Sequence, residues 1–200
     1  MSANLLVLHA LRCVGTTGLT RVASFTGLEE SEVESELIDL AVAGLVTHHR
    51  GFGGWALTES GRAADASGVK AELESAGTRP ALTEAFEAFL VLNPELLDLC
   101  TAWQIRSADG VVNDHTDEVY DARVLALFID FHARAVVVIA ALAAAVPRFA
   151  RYDPRLTEAL TRAQAGELDH LADTMDSFHT VWAELHEDLL ATLGIARWAG

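Results

Sequence analysis

The hydrophobic pattern of residues 19–58 predicts two helices joined by a tight turn and followed by two short strands. In the first helix, Val22 and Phe25 are apolar positions one helical turn apart, and Thr20 can cap the N-terminus. Gly27 follows at once, and glycine accepts the positive φ angle that a tight turn needs. The first helix is therefore expected to end beside Gly27.

The second helix of this stretch has a single apolar stripe at helical spacing. The stripe consists of Val33, Leu37, Leu40 and Ala41. Gly44 stands where a left-handed residue commonly ends a helix. Residues 45–47 and 55–58 then predict two strands around a glycine-rich tip. A helix, a turn, a second helix and a β-hairpin in this order predict a winged helix.

The segment from Leu37 to Val46, followed by Leu57-Thr58-Glu59-Ser60-Gly61-Arg62, resembles winged-helix regulators of the MarR type. The resemblance covers roughly the first third of the chain. It implies a homodimeric transcription regulator whose second helix lies in the major groove of DNA. The candidate DNA-binding residues on this view are Arg21, Ser31, Ser35, His48, His49 and Arg50.

Residues 80–200 predict a separate, all-helical part of the chain. A connector helix is expected after the hairpin, and Gly77 and Pro80 mark a domain boundary. Beyond Pro80, apolar residues recur at helical spacing without strand alternation, which predicts a bundle of several helices. The predicted fold class is therefore mainly α. Residues 1–76 are expected to form a winged helix-turn-helix domain with a small β-hairpin and the connector helix, and residues 80–200 an all-α helical bundle.

Capping residues predict where the helices begin. Thr58 can cap the connector helix. Asn93 and Pro94 predict a break, with Asn93 as the N-cap of a new helix. Residues 113–117 offer several N-caps for a long helix, and a last helix is expected to run from about residue 173 to residue 193.

Three segments of this half carry a second resemblance. NPELLDLCTAWQ (93–104), NDHTD (113–117) and HTVWAELHEDLL (179–190) resemble a helical region attached to some bacterial pyruvate phosphate dikinase-like proteins, where it follows a winged-helix segment. With the winged helix included, the resemblance covers nearly the whole chain. The sequence has no glycine-rich phosphate loop and no phosphohistidine domain. The resemblance therefore implies a regulatory or accessory module, and it transfers no catalytic residue.

Charge changes this functional picture. The net charge of −15 disfavours nucleic acid and anionic membranes as partners. Five glutamates lie within residues 29–36, where the second helix would face DNA, and phosphates repel carboxylates. The basic cluster is His48-His49-Arg50 at the wing. The topology thus predicts a transcription regulator with weak or absent DNA binding, and a protein-interaction or allosteric module is the alternative.

Composition predicts a folded cytoplasmic protein without a membrane partner. The apolar fraction is 51% and there are only 4 prolines, so disorder is disfavoured. Cys13 and Cys100 lie among largely apolar residues without CxxC or other named ligand spacing, which is typical of reduced cytosolic thiols. No signal peptide is evident. The longest apolar run, residues 135–146, is shorter than the about 20 residues that cross a bilayer.

Histidines and tryptophans of the helical half form a candidate pocket for a small-molecule ligand. On the last helix, His179 and His186 share a stripe with Trp182 and are expected to point inward. The candidate pocket residues are Trp103, His115, His132, His179, Trp182 and His186. The same residues are also consistent with an ordinary aromatic core, which is the favoured interpretation, and the pocket is kept as the alternative.

Chemistry that would make the chain an enzyme is weakly supported. Imidazole and carboxylate groups could bind zinc or iron, which keeps a small helical metal-dependent enzyme as a third hypothesis. A His-Glu-x-x-His motif is absent, however, and Glu167 to His170 is a single Glu-x-x-His motif where a di-iron bundle needs two. No nucleophile motif is present either. We therefore predict no catalytic residue, no metal site and no cofactor.

Overall fold

Contacts within the chain divide it into two units, and each consists largely of helices. The first unit contains Met1–Gly77 together with the C-terminal segment from His186 onward, and the second contains Thr78–Leu185. The computed structural model describes residues 1–49, 51, 53–106 and 110–196. The segment from His186 had been expected in the helical bundle. Its place in the first unit follows from a buried hydrogen bond between Asp188 and His9.

The first unit begins with three helices, a hairpin and a fourth helix. In chain order these are α1 (Ala3–Val14), α2 (Leu19–Thr26), α3 (Glu30–Val42), β1 (Val46–His49), β2 (Gly54–Leu57) and α4 (Glu59–Ala76). The two strands are antiparallel, with Val46 opposite Leu57. The core of this part consists of α1, α2, α3 and hairpin residues, and Val33, Leu37 and Leu40 are fully buried in it as the apolar stripe predicts.

Local capping explains most of these boundaries. Gly27 has a φ of 73° at the end of α2, as its position predicts. The Thr58 hydroxyl accepts a hydrogen bond from the Gly61 amide and caps α4, which Gly77 ends in a left-handed conformation. The expected cap at Thr20 is wrong, because Gly18 is the N-cap of α2. The backbone of the preceding residue, Thr17, is held extended by two hydrogen bonds to Trp55, and α2 starts directly afterwards.

The second unit contains long helices and short connecting elements. In chain order these are α5 (Arg79–Gln104), β3 (Ile105–Arg106), β4 (Val111–Val112), α6 (Glu118–Ala145), a 3₁₀ helix (Pro147–Arg151), α7 (Tyr152–Gln164), a second 3₁₀ helix (Leu168–His170) and α8 (Phe178–Leu193). The last residues of α8, from His186, belong to the first unit. With both units considered, the described chain is mainly α-helical and carries a small β-hairpin in the first unit.

The expectation that the second half is all-helical is wrong in one place. Strands β3 and β4 form a two-stranded antiparallel sheet in which Ile105 pairs with Val112 and Arg106 with Val111. Two residues per strand are too few to show alternation in a sequence, which is why the pattern did not predict them. The sequence Ser107-Ala108-Asp109-Gly110 also predicts a turn, and residues 107–109 of it lie outside the described residues.

The predicted break at Asn93 and Pro94 is also wrong, since α5 continues through both residues. Pro94 has no N–H to donate to the carbonyl of Leu90, so one helical hydrogen bond is lost. Leu90 and Pro94 are both exposed, and water can bond the released carbonyl on that side. The Asn93 side chain does not cap a helix, because its carbonyl oxygen accepts a hydrogen bond of 3.0 Å from the Trp182 indole N–H.

The last helix starts at Phe178, about five residues later than expected. The hydroxyl oxygen of Ser177 accepts a hydrogen bond from the Thr180 amide at 3.2 Å and ends the irregular segment before it. Serine is a strong N-cap residue, and this one sets the boundary. At the start of α6, Asp117 accepts a hydrogen bond from the Tyr120 amide, so one of the N-caps offered by residues 113–117 is confirmed.

Helix α6 is longer and more apolar than its uninterrupted apolar run suggested. It has 28 residues, and an 18-residue window within it has a mean hydropathy of 2.0, with 28% of that window buried. By length and composition alone this helix could cross a membrane. Its buried residues recur every three or four positions, as expected for one face of a helix in a protein core: Val124, Phe128, Phe131, Ala135, Ile139 and Leu142.

An aromatic cluster forms part of the core of the second unit. Trp182 on α8 is 2% exposed and stacks on Phe89 of α5 with ring centroids 4.6 Å apart. The edge of the same indole meets the Phe131 ring of α6 at 5.1 Å. Trp182 therefore connects three helices through apolar contacts and the hydrogen bond to Asn93.

Replacing Trp182 with Ala should lower the free energy of unfolding by about 3–5 kcal/mol, because a large buried side chain is removed and a cavity remains. Urea denaturation followed by circular dichroism measures this quantity. The control is Val91→Ala on α5, a residue that is 77% exposed, for which we expect a change within about 0.5 kcal/mol. Equal, small effects of both substitutions would show that Trp182 is not a core residue.

Candidate functional site

The exposed face of α3 is acidic, and α3 contains neither arginine nor lysine. Its solvent-exposed residues are Glu30, Ser31, Glu32, Glu34, Ser35, Ile38, Asp39 and Val42. Because these side chains belong to one helix whose opposite side is buried, they form a continuous outward surface. We call it the α3 face.

The α3 face has exposed apolar residues at its C-terminal end and acidic residues along both sides. Ser31, Ser35, Ile38 and Val42 follow one another at spacings of four, three and four along its centre, with the acidic residues on both sides. Ile38 is 51% exposed and Val42 is 86% exposed. Two large apolar side chains one turn apart on a helix surface are typical of anchors for another protein.

The candidate DNA-binding residues are divided between three elements of the first unit. Ser31 and Ser35 are exposed on α3, and His48 and His49 are exposed on β1. Arg21 is half-buried on α2. Arg50 lies outside the described residues. Within the described part of the hairpin, the residues that can carry positive charge are the two histidines, and every charged residue of α3 is acidic.

Two of the candidate pocket residues, Trp103 and His115, lie against each other in the second unit. Their ring centroids are 4.6 Å apart. The Asp121 carboxylate bonds the Nδ1 atom of His115 at 3.0 Å, and the Asn113 amide donates to the Trp103 carbonyl and to Asp121. His115 has a φ of 58°, an unusual conformation for a residue other than glycine.

A cavity of about 450 Å³ lies beside His115. Residues 166–170 and Thr174 form the rest of its lining and include His170. Next to His115, the buried Trp103 indole N–H has no hydrogen-bond partner within the described part of the chain. Of the six candidate pocket residues, His115 lines this cavity and Trp103 lies against His115.

The other candidate pocket residues have different surroundings. His132 is half-buried, within hydrogen-bond distance of the Thr157 hydroxyl and in contact with the Phe178 ring; burial lowers the pKa of His132, although Asp153 raises it in part. His179 is half-buried in the first turn of α8, and Trp182 belongs to the aromatic core. His186 is half-buried and belongs to the first unit.

A buried charged cluster in the first unit was missed by the sequence-based prediction. His9 on α1 is fully buried. Its Nδ1 atom lies 3.0 Å from a carboxylate oxygen of Asp65 on α4, and its Nε2 atom lies 2.9 Å from a carboxylate oxygen of Asp188 on α8. Thr192 donates a hydrogen bond of 3.0 Å to the same Asp188 oxygen.

This geometry indicates that His9 is an imidazolium. Carboxylates only accept hydrogen bonds, so both ring nitrogens must carry a proton to satisfy both contacts. Burial lowers the pKa of His9, but nearby Cys13, Asp188 and Asp65 raise it, and the net direction is well above the usual value. His9 and its two aspartates therefore form a buried ionic network between α1, α4 and α8.

Cys13 extends the cluster by one helical turn. Its Sγ atom is 3.7 Å from the Nε2 atom of His9, and the thiol is half-buried. His9, Cys13 and Asp188 bring one nitrogen, one sulfur and one oxygen atom within 4.8 Å of one another, and these are metal-ligating types. The interpretation of Cys13 as an ordinary reduced thiol overlooked two basic residues, Arg12 directly before it and His9, whose i, i+4 spacing places it on the same helix face.

Comparison with protein-family models, with curated proteins and with solved structures finds no match for this chain. A functional conclusion therefore depends on the geometry of the chain itself. That geometry offers the α3 face, the cavity beside His115 and the cluster around His9.

The free energy of unfolding should fall as the pH rises above about 6.5, because the pKa of His9 is higher in the folded than in the unfolded protein. The stabilisation is complete below the unfolded pKa and is lost as the pH rises through the folded pKa. Urea denaturation at several pH values, in a buffer with a chelator, measures this dependence.

His9→Gln should remove this part of the pH dependence, and His49→Gln, at an exposed position, should preserve it. If the free energy of unfolding depends on pH in the same way in the wild type and in His9→Gln, the assignment of the charge to His9 is contradicted.

Proposed function

We propose that the first unit is a winged helix and that the chain is a regulatory protein that acts through contacts with another protein. The order of elements supports this fold, since α2 and α3 form a helix-turn-helix followed by the β1–β2 hairpin. The paired backbone of Thr17 and Trp55 adds a third extended segment beside that hairpin, between α1 and α2.

The observation that carries the functional proposal is the acidic α3 face. In a helix-turn-helix protein that binds DNA, the second helix enters the major groove close to phosphates. Glu30, Glu32 and Glu34 are exposed at the N-terminal part of α3, where they would be repelled by that charge. A partner that carries positive charge on a protein surface would instead be attracted.

The chemistry of the α3 face specifies what such a partner looks like. Ile38 and Val42 fit an apolar groove that accepts one side of a helix. The surrounding acids fit a rim of lysine and arginine, which would steer the encounter and select the partner. We therefore propose a partner protein with an apolar groove and a basic rim.

A photo-reactive amino acid at position 35, in the centre of the α3 face, tests this proposal in the cells that express the protein. Position 75, an exposed serine on α4, is the matched control. We expect a discrete protein adduct from position 35 that position 75 does not give. The double substitution Glu30→Lys and Glu34→Lys should abolish the adduct, since it reverses the charge of the rim.

Identical adducts from positions 35 and 75 would show that the α3 face has no specific partner. An adduct to nucleic acid at position 35 would contradict the proposed partner class.

A DNA-binding transcription regulator is the second candidate, and the exposed His48 and His49 on β1 favour it specifically. These imidazole groups carry positive charge only when protonated, and in that form the hairpin would attract phosphates. The second unit, with its cavity beside His115, would supply a response to a small ligand.

Mobility-shift titrations with duplex DNA distinguish the two candidates. For a DNA binder, affinity should be weak and salt-sensitive, should increase at lower pH, and should increase further in the variant with Glu30, Glu32 and Glu34 changed to Gln. If neither protein shifts the duplex at low salt, the DNA-binding candidate is excluded. Tight binding by the wild type at physiological salt would contradict the proposal that α3 contacts a protein.

A further inference from the structure

We propose that His9, Cys13 and Asp188 form a binding site for a divalent transition-metal ion, with zinc as the ion that their chemistry fits best. This inference goes beyond the proposed function and does not depend on it. All three residues belong to the first unit, two on α1 and one on α8.

Two of the three separations between the ligand atoms are close to those around a tetrahedral ion, and all three atoms lie within 4.8 Å of one another. Around zinc, a histidine nitrogen and a cysteine sulfur lie about 3.6 Å apart, as follows from metal–ligand distances of about 2.0 and 2.3 Å. The Nε2 atom of His9 and the Sγ atom of Cys13 are 3.7 Å apart. The Nε2 atom and the Asp188 oxygen, now 2.9 Å apart, would need to separate by only about half an ångström. On binding, the ion takes the place of the Nε2 proton of His9 and of the thiol proton of Cys13, and both protons are released to the solvent.

Neighbouring groups hold two of the ligands in place. The Asp65 carboxylate binds the Nδ1 atom of His9 at 3.0 Å, so Nε2 is the ring nitrogen that faces Cys13 and Asp188. A carboxylate on the far side of a ligating histidine is the usual support of zinc sites. Thr192 positions Asp188 in a similar way through its hydroxyl group.

A route for the ion exists on the Cys13 side of the cluster. Cys13 is half-buried and lines a cavity of about 360 Å³ whose lining includes Glu187, Arg12 and Arg62. Zinc sites with three protein ligands commonly complete their coordination with water. The cavity provides room for that water next to the sulfur atom.

The combination of ligand types selects the metal. Thiolate and imidazole ligands suit zinc and related transition metals, whereas magnesium and calcium prefer sets of oxygen atoms. Cys100 in the second unit offers a contrast, because burial, with a contribution from Asp173, raises its pKa to about 12 and keeps it a thiol. Cys100 therefore serves as the matched control for Cys13.

Titration of the full-length, reduced and chelator-treated protein with Co²⁺ tests the site. We expect a thiolate-to-cobalt charge-transfer band that saturates at one equivalent, together with visible bands of tetrahedral cobalt, and displacement of both by Zn²⁺. Absence of a saturable band in the wild type would overturn the proposal.

Substitutions assign the site to residues. Cys13→Ser should abolish the charge-transfer band, and Cys100→Ala should retain it. Asp65→Asn should weaken binding by about 10- to 100-fold through loss of the support on His9. A band that persists in Cys13→Ser, or that disappears only in Cys100→Ala, would overturn the assignment.

Thermal unfolding gives a second readout that also reports whether each variant folds. Zn²⁺ should raise the melting temperature of the wild type and of Cys100→Ala, because it binds only the folded state. It should not raise that of Cys13→Ser, a conservative change at a half-buried position. An equal increase in Cys13→Ser would contradict a site that uses Cys13.

Discussion

A buried positive charge between two carboxylates is the constraint on which the first unit depends. His9 lies far in sequence from both partners, 56 residues from Asp65 and 179 from Asp188, so the network connects α1 to α4 and to the end of α8. Removal of one partner from a buried ion pair typically costs about 3–5 kcal/mol, because the remaining charge stays desolvated. The network explains why the segment from His186 belongs with the N-terminal helices.

The α3 face shows how a fold and its surface chemistry can point to different functions. The order of elements alone favours DNA binding, but an analogy of fold does not establish function. Side-chain charge determines which partners the α3 face attracts, and its carboxylates repel the phosphates of DNA. The apolar end at Ile38 and Val42 adds a reason for a protein partner, since exposed apolar side chains of this size commonly mark interaction sites.

Features set by neighbouring residues could be predicted from the sequence, and features set by distant residues could not. The cap at Thr58 and the end of the connector helix at Gly77 follow from local backbone requirements, and both predictions are confirmed. The predicted break at Pro94 was wrong because the rest of α5 and its packing offset one lost hydrogen bond. The partners of His9 come from α4 and α8, 56 and 179 residues away in the sequence, and only its spacing from Cys13 was visible locally.

The protonation state of His9 can be measured directly by ¹⁵N NMR of the imidazole groups in the metal-free protein at neutral pH. The His9 signals are assigned by their absence in His9→Gln. If Asp65 and Asp188 both accept hydrogen bonds from this ring, both of its nitrogens should show the shifts of protonated atoms, with slowly exchanging N–H protons. One unprotonated ring nitrogen would contradict a buried imidazolium that connects α1, α4 and α8.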